Sequence, residues 1–140
     1  MEPRRLEDES QLRALVATYA HAVAQRDAEV WGGTWAEDST WNLLGQSPRG
    51  REAIVALWSG LMTRFEFVVH RASDAILKIE GDRATGVWAI TEQGRSLDGQ
   101  AMLLLGRYDD VYVRTEQGWR FSERTLQVFY QGTPAISVSG

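Results

Sequence analysis

The chain has 140 residues, 44% hydrophobic and 24% charged, with a formal net charge of −4, a balance typical of one globular domain. The acidic balance without a basic patch argues against a nucleic-acid partner, and no apolar run reaches the roughly 18 residues that a membrane-spanning helix needs. The absence of cysteine excludes disulfides and thiolate ligands, and two histidines without HxH or HExxH spacing argue against a metal site.

The N-terminal half of the chain predicts three helices. Residues 1–7 are polar, which predicts a loose tail without a signal peptide and favours a cytoplasmic protein. Asp8 or Ser10 is the predicted cap of a first helix over about 10–25. The apolar stripe of this helix recurs with helical spacing and consists of Leu12, Leu15, Val16, Tyr19 and Val23. His21 falls on the opposite, solvated face.

Shorter elements follow the first helix. A second helix is predicted over 27–38 with Asp27 as its cap, and a short strand follows over 39–44. The segment 45-GQSPRG-50 predicts a turn because of its glycine and proline content. A third helix is predicted over 51–65.

The hydrophobic period changes from 3.6 to 2 after the third helix. The new period predicts strands joined by hairpins and then a frayed tail; the strands span 66–79, 83–94, 99–115 and 118–130, and the tail 131–140. Helices followed by long antiparallel strands predict an α+β fold in a single domain over 1–140. Because such a sheet twists strongly, we expect a cone-shaped curved sheet, antiparallel or mixed, with the helices on its concave face. Such a cone encloses a cavity suited to a small apolar ligand.

Several short motifs run along most of the chain in a recognisable order. They are 26-RD-27, 34-TWAEDSTW-41, 50-GREAI-54, 80-EGDRATGVW-88 and 107-RYDDVYVRTEQGWRFSER-124. In this order the sequence resembles the SnoaL-like branch of the nuclear-transport-factor-2-like superfamily over about residues 10–130. That superfamily includes scytalone dehydratase, bile-acid dehydratase, polyketide cyclases and hexachlorocyclohexane dehydrochlorinase. The resemblance implies a cystatin-like α+β barrel that forms a homodimer.

The resemblance also implies a set of site residues. In the dehydratase and dehydrochlorinase branch, an Asp near the end of the first helix orients a His that removes a proton from carbon. The position of that His is His70, while the Asp position, five residues after Tyr19, is Ala24. The pocket Tyr and the acidic residue of the bile-acid enzyme fall on Tyr19 and Glu92. An Arg of the dehydrochlorinase falls on Arg124.

The candidate proton-transfer residues have two interpretations each. His70 shares a strand face with Val68, so it is either a cavity-facing base or a residue packed under a helix. Glu92 shares a face with Trp88, and it either replaces the missing Asp or is solvated where the strand ends. Asp27 is a second candidate replacement for that Asp.

The two other candidate catalytic residues are also open to a structural interpretation. Tyr19 either donates its hydroxyl to a ligand or packs in the core. Arg124 alternates with Phe121, so the two are predicted on opposite faces of the last strand. It either clamps an anionic group or pairs with a surface carboxylate such as Asp109 or Asp110.

The chain is rich in tryptophan, with six residues that either fill the core or line a ligand cavity. The aromatic and apolar residues predicted to contact a ligand are Trp41, Trp58, Trp88, Leu15 and Phe129. A planar, aromatic or polycyclic molecule suits them.

These residues lead to one hypothesis and two alternatives. The leading hypothesis is an enzyme without metal or organic cofactor that catalyses elimination, isomerisation or cyclisation of a small apolar or polycyclic molecule. His70 is its base, Tyr19 and Arg124 are polar helpers, and Glu92 is the orienting acid. The first alternative, favoured by Ala24, is a non-catalytic protein that binds an apolar metabolite in the same cavity. The second is a protein-interaction module.

Overall fold

The structure, a computed structural model, describes residues 2–135 as helices that precede a sheet. The elements are α1 (Glu2–Gln25), α2 (Ala28–Gly33), β1 (Trp35–Asn42), α3 (Arg51–Met62), β2 (Phe65–Glu80), β3 (Arg83–Ser96), β4 (Ala101–Thr115) and β5 (Gly118–Gly132). This order confirms the predicted α+β class. Gln131 and Gly132 belong to β5, so the prediction of a frayed tail from residue 131 is wrong for these two residues. Residues 136–140 of the predicted tail lie outside the described residues.

The five strands form one curved, unclosed mixed sheet in the order β1-β5-β4-β3-β2. The strands β2 to β5 pair antiparallel in succession, whereas β1 pairs parallel with β5. The buried core lies between the inner face of this sheet and the three helices, and all six tryptophans are buried in it. The predicted cone is therefore confirmed. No helix of the described chain has the length and apolarity that crossing a membrane requires.

The second helix is shorter than its sequence pattern predicts. It ends at Gly33, and the residues from Trp35 onward form β1. The backbone N–H of Phe121 donates to the carbonyl of Thr34, and Trp35 pairs with Phe121 across the sheet. The parallel pairing with β5 therefore ends the helix before the predicted residue 38. The predicted cap of this helix is confirmed, because the carboxylate of Asp27 accepts a hydrogen bond from the backbone N–H of Val30 at 3.1 Å.

The first helix begins much earlier than predicted because Asp8 ties it to the sheet. The predictions of a loose tail up to residue 7 and of Asp8 as a cap are both wrong for the described residues. Arg114 on β4 donates to both carboxylate oxygens of Asp8, at 2.9 and 3.0 Å, and Trp119 donates to one of them at 3.2 Å. Arg114 also donates to Asp82 at 2.9 Å. A bidentate, charge-assisted contact of this kind fixes the helix against the sheet.

Replacing Asp8 with alanine is expected to lower the free energy of unfolding at pH 7 by about 2 kcal/mol, the scale of hydrogen bonds to charged groups. The hydrogen bond from Arg114 holds the pKa of Asp8 below its ordinary value. A carboxylate with a lowered folded-state pKa stabilises the fold above its unfolded-state pKa of about 3.9, and this stabilisation is lost as the pH falls through the folded-state value. Urea unfolding at pH 7 and pH 2.5 measures the effect. A difference between wild type and variant that does not shrink at pH 2.5 would contradict this account.

The strands β4 and β5 approach very closely at Gly106. The Cα partners of the ladder shift between Leu105 and Gly106, and a methyl group added at Gly106 would lie far inside van der Waals contact with the carbonyl oxygen of Gln127. Gly106→Ala is therefore expected to destabilise the fold by about 2 kcal/mol or more, because the backbone itself must move. Gly60→Ala is the matched control. Gly60 lies in α3 with open space around it, so this change is expected to raise stability by up to about 1 kcal/mol. Equal thermal shifts for the two variants would contradict the prediction.

Candidate functional site

An apolar cavity of 170 Å³ lies between the helices and the inner face of the sheet. The residues that line it include three with polar groups, Tyr19 on α1, Glu92 on β3 and Tyr108 on β4. The rest of its wall is mainly apolar and includes Trp41, Trp58, Val23, Leu43, Leu61, Val68, Leu104 and Leu126. A mostly apolar wall with a few convergent polar groups is the usual form of a small-molecule site.

His70 and Glu92 contact each other through their side chains beside this cavity. They are Cα partners across β2 and β3, so their side chains project from the same face of the sheet. Nδ1 of His70 lies 2.7 Å from Oε1 of Glu92. The strand β3 continues to Ser96, so the interpretation of Glu92 as a solvated strand end does not hold. An ionised carboxylate only accepts hydrogen bonds, so Nδ1–H of His70 donates to Glu92.

The two members of this pair differ in their access to the cavity. The side chain of His70 is 0% exposed, and His70 does not line the cavity, whereas Glu92 is 25% exposed and does line it. The ring of His70 packs against Tyr19 at 5.2 Å and Tyr108 at 6.2 Å between centroids. Nε2 of His70 is buried and has no hydrogen-bond partner among the described residues. The carboxylate is therefore the member of the pair that a ligand in the cavity meets.

The other candidate partners of His70 lie elsewhere. Ala24 is exposed near the end of α1, and Asp27 is exposed and caps α2. Glu92 is therefore the carboxylate that contacts His70 within the described chain. The sequence indicates that Glu92 points inward, because Glu92 shares the inward parity of Trp88 and Ile90 on β3.

Arg124 is buried behind the cavity wall and paired with a buried carboxylate. Its Nε lies 2.7 Å from Oδ1 of Asp110, and its Nη2 lies 3.2 Å from Oδ2. Both side chains are 0% exposed, so the predicted partner is right, but its predicted place on the surface is wrong. The guanidinium carbon lies 4.5, 3.9 and 4.3 Å from the ring centroids of Tyr19, Tyr108 and Phe121. Burial opposes the charge of Arg124, but the neighbouring Asp110 outweighs it, and the pKa of Arg124 is raised.

A β-bulge explains why Arg124 and Phe121 both point inward. The Cα partners are Tyr112 with Phe121 and Val111 with Glu123, which leaves Ser122 as an extra residue on β5. An extra residue inverts the alternation of side chains beyond it. The predicted opposite faces of Phe121 and Arg124 are therefore wrong.

The two tyrosines at the cavity wall are neutral hydroxyl groups. Burial raises the pKa of Tyr19 to about 12, against a smaller opposing effect of Arg124. Burial also raises the pKa of Tyr108 well above its ordinary value. The hydroxyl of Tyr108 accepts a hydrogen bond from Nε1 of Trp41 at 2.9 Å. Both hydroxyls keep their protons at physiological pH. Tyr108 was not among the predicted site residues, although its inward parity on β4 was a usable signal.

The structure brings together only part of the predicted ligand-contact set. Tyr19, Trp41, Trp58 and Glu92 line the cavity, whereas Trp88, Leu15 and Phe129 do not. Trp88 is buried deeper in the core and donates from Nε1 to Tyr112 at 2.8 Å. Leu15 faces a surface groove beside β5. Phe129 is the extra residue of a second bulge and is 64% exposed.

Three exposed residues that were not predicted also line the cavity, namely Leu44, Arg64 and Gln131, and we call them its mouth. They come from a turn, from the α3–β2 connection and from the end of β5, where no periodic pattern reveals which way a side chain points. Among residues 2–135, no group of three histidine or carboxylate side chains is arranged to hold a metal ion.

A curved α+β sheet with a cavity under its helices defines the nuclear-transport-factor-2-like class of fold. Residues 4–125 match the SnoaL-like domain family, and the chain belongs to that family. Comparison with curated proteins gives no match.

Solved structures with the same fold include three from Novosphingobium species. A provisionally assigned aromatic ring hydroxylase from Novosphingobium aromaticivorans is 25% identical, with a TM-score of 0.86 over 91% of this chain and 93% of the other. A provisionally assigned scytalone dehydratase from the same organism is 18% identical, with a TM-score of 0.90 over 99% and 95%. A hexachlorocyclohexane dehydrochlorinase from Novosphingobium barchaimii is 19% identical, with a TM-score of 0.87 over 100% and 99%. These likenesses show the shared fold.

Proposed function

We propose that this protein is a lyase or isomerase that removes a proton from carbon in a small apolar molecule, without a metal or organic cofactor. The observation that carries the proposal is the carboxylate of Glu92, which lies on the wall of an apolar cavity with Oε1 2.7 Å from Nδ1 of His70. Such a reaction requires a positioned base within reach of the C–H bond of a bound ligand. Structural relatives named as a dehydratase and a dehydrochlorinase support the same reaction class.

The burial of His70 changes the roles within the pair. Glu92 accepts the proton, because it lines the cavity. His70 donates a hydrogen bond from Nδ1–H to the Glu92 carboxylate and so fixes the orientation of that carboxylate. In a lyase, the electron pair of the broken C–H bond forms a carbon–carbon double bond while the leaving group departs from the neighbouring carbon with its own bonding pair. In an isomerase, the electron pair forms a double bond to an adjacent carbonyl carbon and the carbonyl π electrons move to oxygen, until Glu92 returns the proton to a different carbon.

The tyrosines supply the donors that the reaction needs. Tyr19 and Tyr108 line the cavity as neutral hydroxyls. A hydroxyl of this kind stabilises negative charge that develops on a carbonyl oxygen or on a leaving group. The Arg124 guanidinium stacks on both rings and adds positive potential behind them.

The cavity volume limits the ligand. A dry protein cavity of about 150 Å³ holds one benzene molecule, and this cavity measures 170 Å³. One ring with a short substituent fits, so the proposal is restricted to small monocyclic molecules and leaves out polycyclic ones.

Hydrogen–deuterium exchange at carbon tests the proposal directly. Small cyclic ketones, alcohols and halides with an acidic C–H are incubated with the protein in D₂O, and NMR follows deuterium incorporation or the appearance of an alkene. Protein-dependent exchange that is lost in Glu92→Gln is the expected result. If compounds bind in the cavity but none exchanges or reacts, the enzyme proposal fails.

A second candidate function is binding without turnover. It is supported by the full burial of His70 and by the absence of a carboxylate at Ala24. The expected result in this case is saturable binding of a small apolar ligand, with Trp41 and Trp58 as its contacts, and no carbon exchange.

The predicted homodimer through the outer sheet face stays a prediction. Half-buried apolar side chains on β4 support it, namely Leu103, Leu105, Val111 and Val113. The mass in solution, measured by light scattering, tests it.

A further inference from the structure

The mouth of the cavity carries a cationic group that the proposed chemistry does not use. Arg64 is the one positively charged residue among those that line the cavity within the described chain. It is exposed and lies in the short connection between α3 and β2. Glu92 is the one negatively charged residue among the described residues that line the cavity. The cavity wall therefore carries one cationic and one anionic side chain.

The backbone of Arg64 is fixed, while its side chain is free to meet a ligand. Its N–H donates to the carbonyl of Leu61 at 3.2 Å, and its carbonyl accepts from the N–H of Leu97 at 3.1 Å. Its guanidinium has no hydrogen bond or ion pair within the described residues. Neighbouring arginines are already engaged, since Arg95 pairs with Glu66 and Arg26 donates to the carbonyl of Phe65.

We infer that the ligand of this cavity is a small monocyclic carboxylic acid, with its ring inside and its carboxylate bound by Arg64 at the mouth. This inference deepens the proposed function, because it names the ligand class of the same site. The planar guanidinium matches a carboxylate with two parallel hydrogen bonds. The apolar walls take the ring. Glu92 repels a second carboxylate and so disfavours the reversed orientation.

Arg64 directly precedes β2, and its neighbour Phe65 also lines the cavity. The cavity volume of 170 Å³ suits one ring with a short substituent.

Binding of 3-phenylpropionate and of its neutral amide, 3-phenylpropanamide, tests the inference. Titration calorimetry and the fluorescence of the cavity tryptophans follow binding. We expect the acid to bind about tenfold more tightly than the amide, since a charge-assisted pair contributes on the order of 1.4 kcal/mol beyond a neutral one. The preference is expected to weaken with added salt, because the mouth is exposed to solvent.

Three variants show whether Arg64 or the general charge of the surface causes the preference for the acid. Arg64→Gln is expected to remove the preference for the acid, and Arg64→Lys to retain part of it. Arg83→Gln is the matched control, because Arg83 is an exposed arginine on β3 that does not line the cavity. Equal binding of acid and amide, no binding of either, or a preference that survives in Arg64→Gln would overturn the inference. An acid preference that depends on Arg64 without any carbon exchange would leave the inference standing and count against the proposed enzyme.

Discussion

Replacing Asp110 with alanine is expected to lower the free energy of unfolding by roughly 3–5 kcal/mol, the range seen when one partner of a buried ion pair is removed. Asp110 holds two nitrogens of Arg124, and the hydroxyl of Tyr112 donates to it at 2.7 Å. The alanine variant leaves a buried guanidinium without a counter-charge, and burial alone disfavours that charge. It also removes the last acceptor in a series of hydrogen bonds, in which Trp88 donates to Tyr112 and Tyr112 donates to Asp110. Urea unfolding monitored by circular dichroism measures the loss.

Two further variants show whether the missing charge or the missing volume is responsible. Asp109 is the adjacent carboxylate on the outer face, where it pairs with Arg107 in a half-exposed contact. Asp109→Ala is therefore expected to cost less than about 1 kcal/mol. The double variant Asp110→Leu with Arg124→Met replaces the pair by apolar groups and is expected to recover most of the stability. A double variant as unstable as Asp110→Ala would show that the charges are not the cause.

The second large effect is expected on catalysis. Glu92→Gln is predicted to lower the rate of carbon exchange or elimination by roughly 10²–10⁴-fold, the usual contribution of a positioned base. Glutamine has nearly the same shape, so it keeps the cavity wall and still accepts a hydrogen bond from Nδ1 of His70. The affinity for the ligand should then change little, and the loss should fall on kcat and not on KM. NMR time courses at several concentrations of the fastest-exchanging compound measure both kcat and KM.

Matched variants separate a base from a structural carboxylate. Glu123→Gln changes an exposed carboxylate on β5 and should leave the rate unchanged. His70→Asn removes the ring that orients Glu92, so it is expected to give a smaller rate loss than Glu92→Gln. A larger loss in His70→Asn than in Glu92→Gln would show that His70 is the base, as the sequence suggests, and would reverse the roles assigned to the pair.

The sequence predicted which side chains of the regular strands point inward. It did not predict the direction of the side chains next to the β-bulges. On β2 and β3 the alternation placed His70 and Glu92 on the inner face, and the structure agrees. On β5 the same alternation failed at Ser122 and again at Phe129, because each bulge inserts a residue that inverts it. No local feature of the sequence marks these bulges, since they arise from how β5 pairs with β4.

Two aspartates in the N-terminal helices also show which contacts were predictable from the sequence and which were not. Asp27 is a cap that the sequence identified, because capping depends on residues that are neighbours in the chain. Asp8 has the same residue type and a similar sequence context, yet it pairs with Arg114 and Trp119, which lie more than 100 positions away. The neighbouring residues in the sequence do not distinguish a cap from a long-range ion pair, since both give the carboxylate hydrogen-bond donors.

The sequence by itself determined the α+β class, the hairpins, the inward parity of His70 and Glu92 and the family to which the chain belongs, because these follow from periodicity and from motifs along the chain. Only the tertiary structure decided that Glu92 faces the cavity while His70 is buried behind it. It also decided that Arg124 is paired with Asp110 in the interior and that Arg64 stands at the mouth. Access and pairing depend on which elements pack against each other across the sheet, and that information is held in long-range contacts that no stretch of the sequence contains.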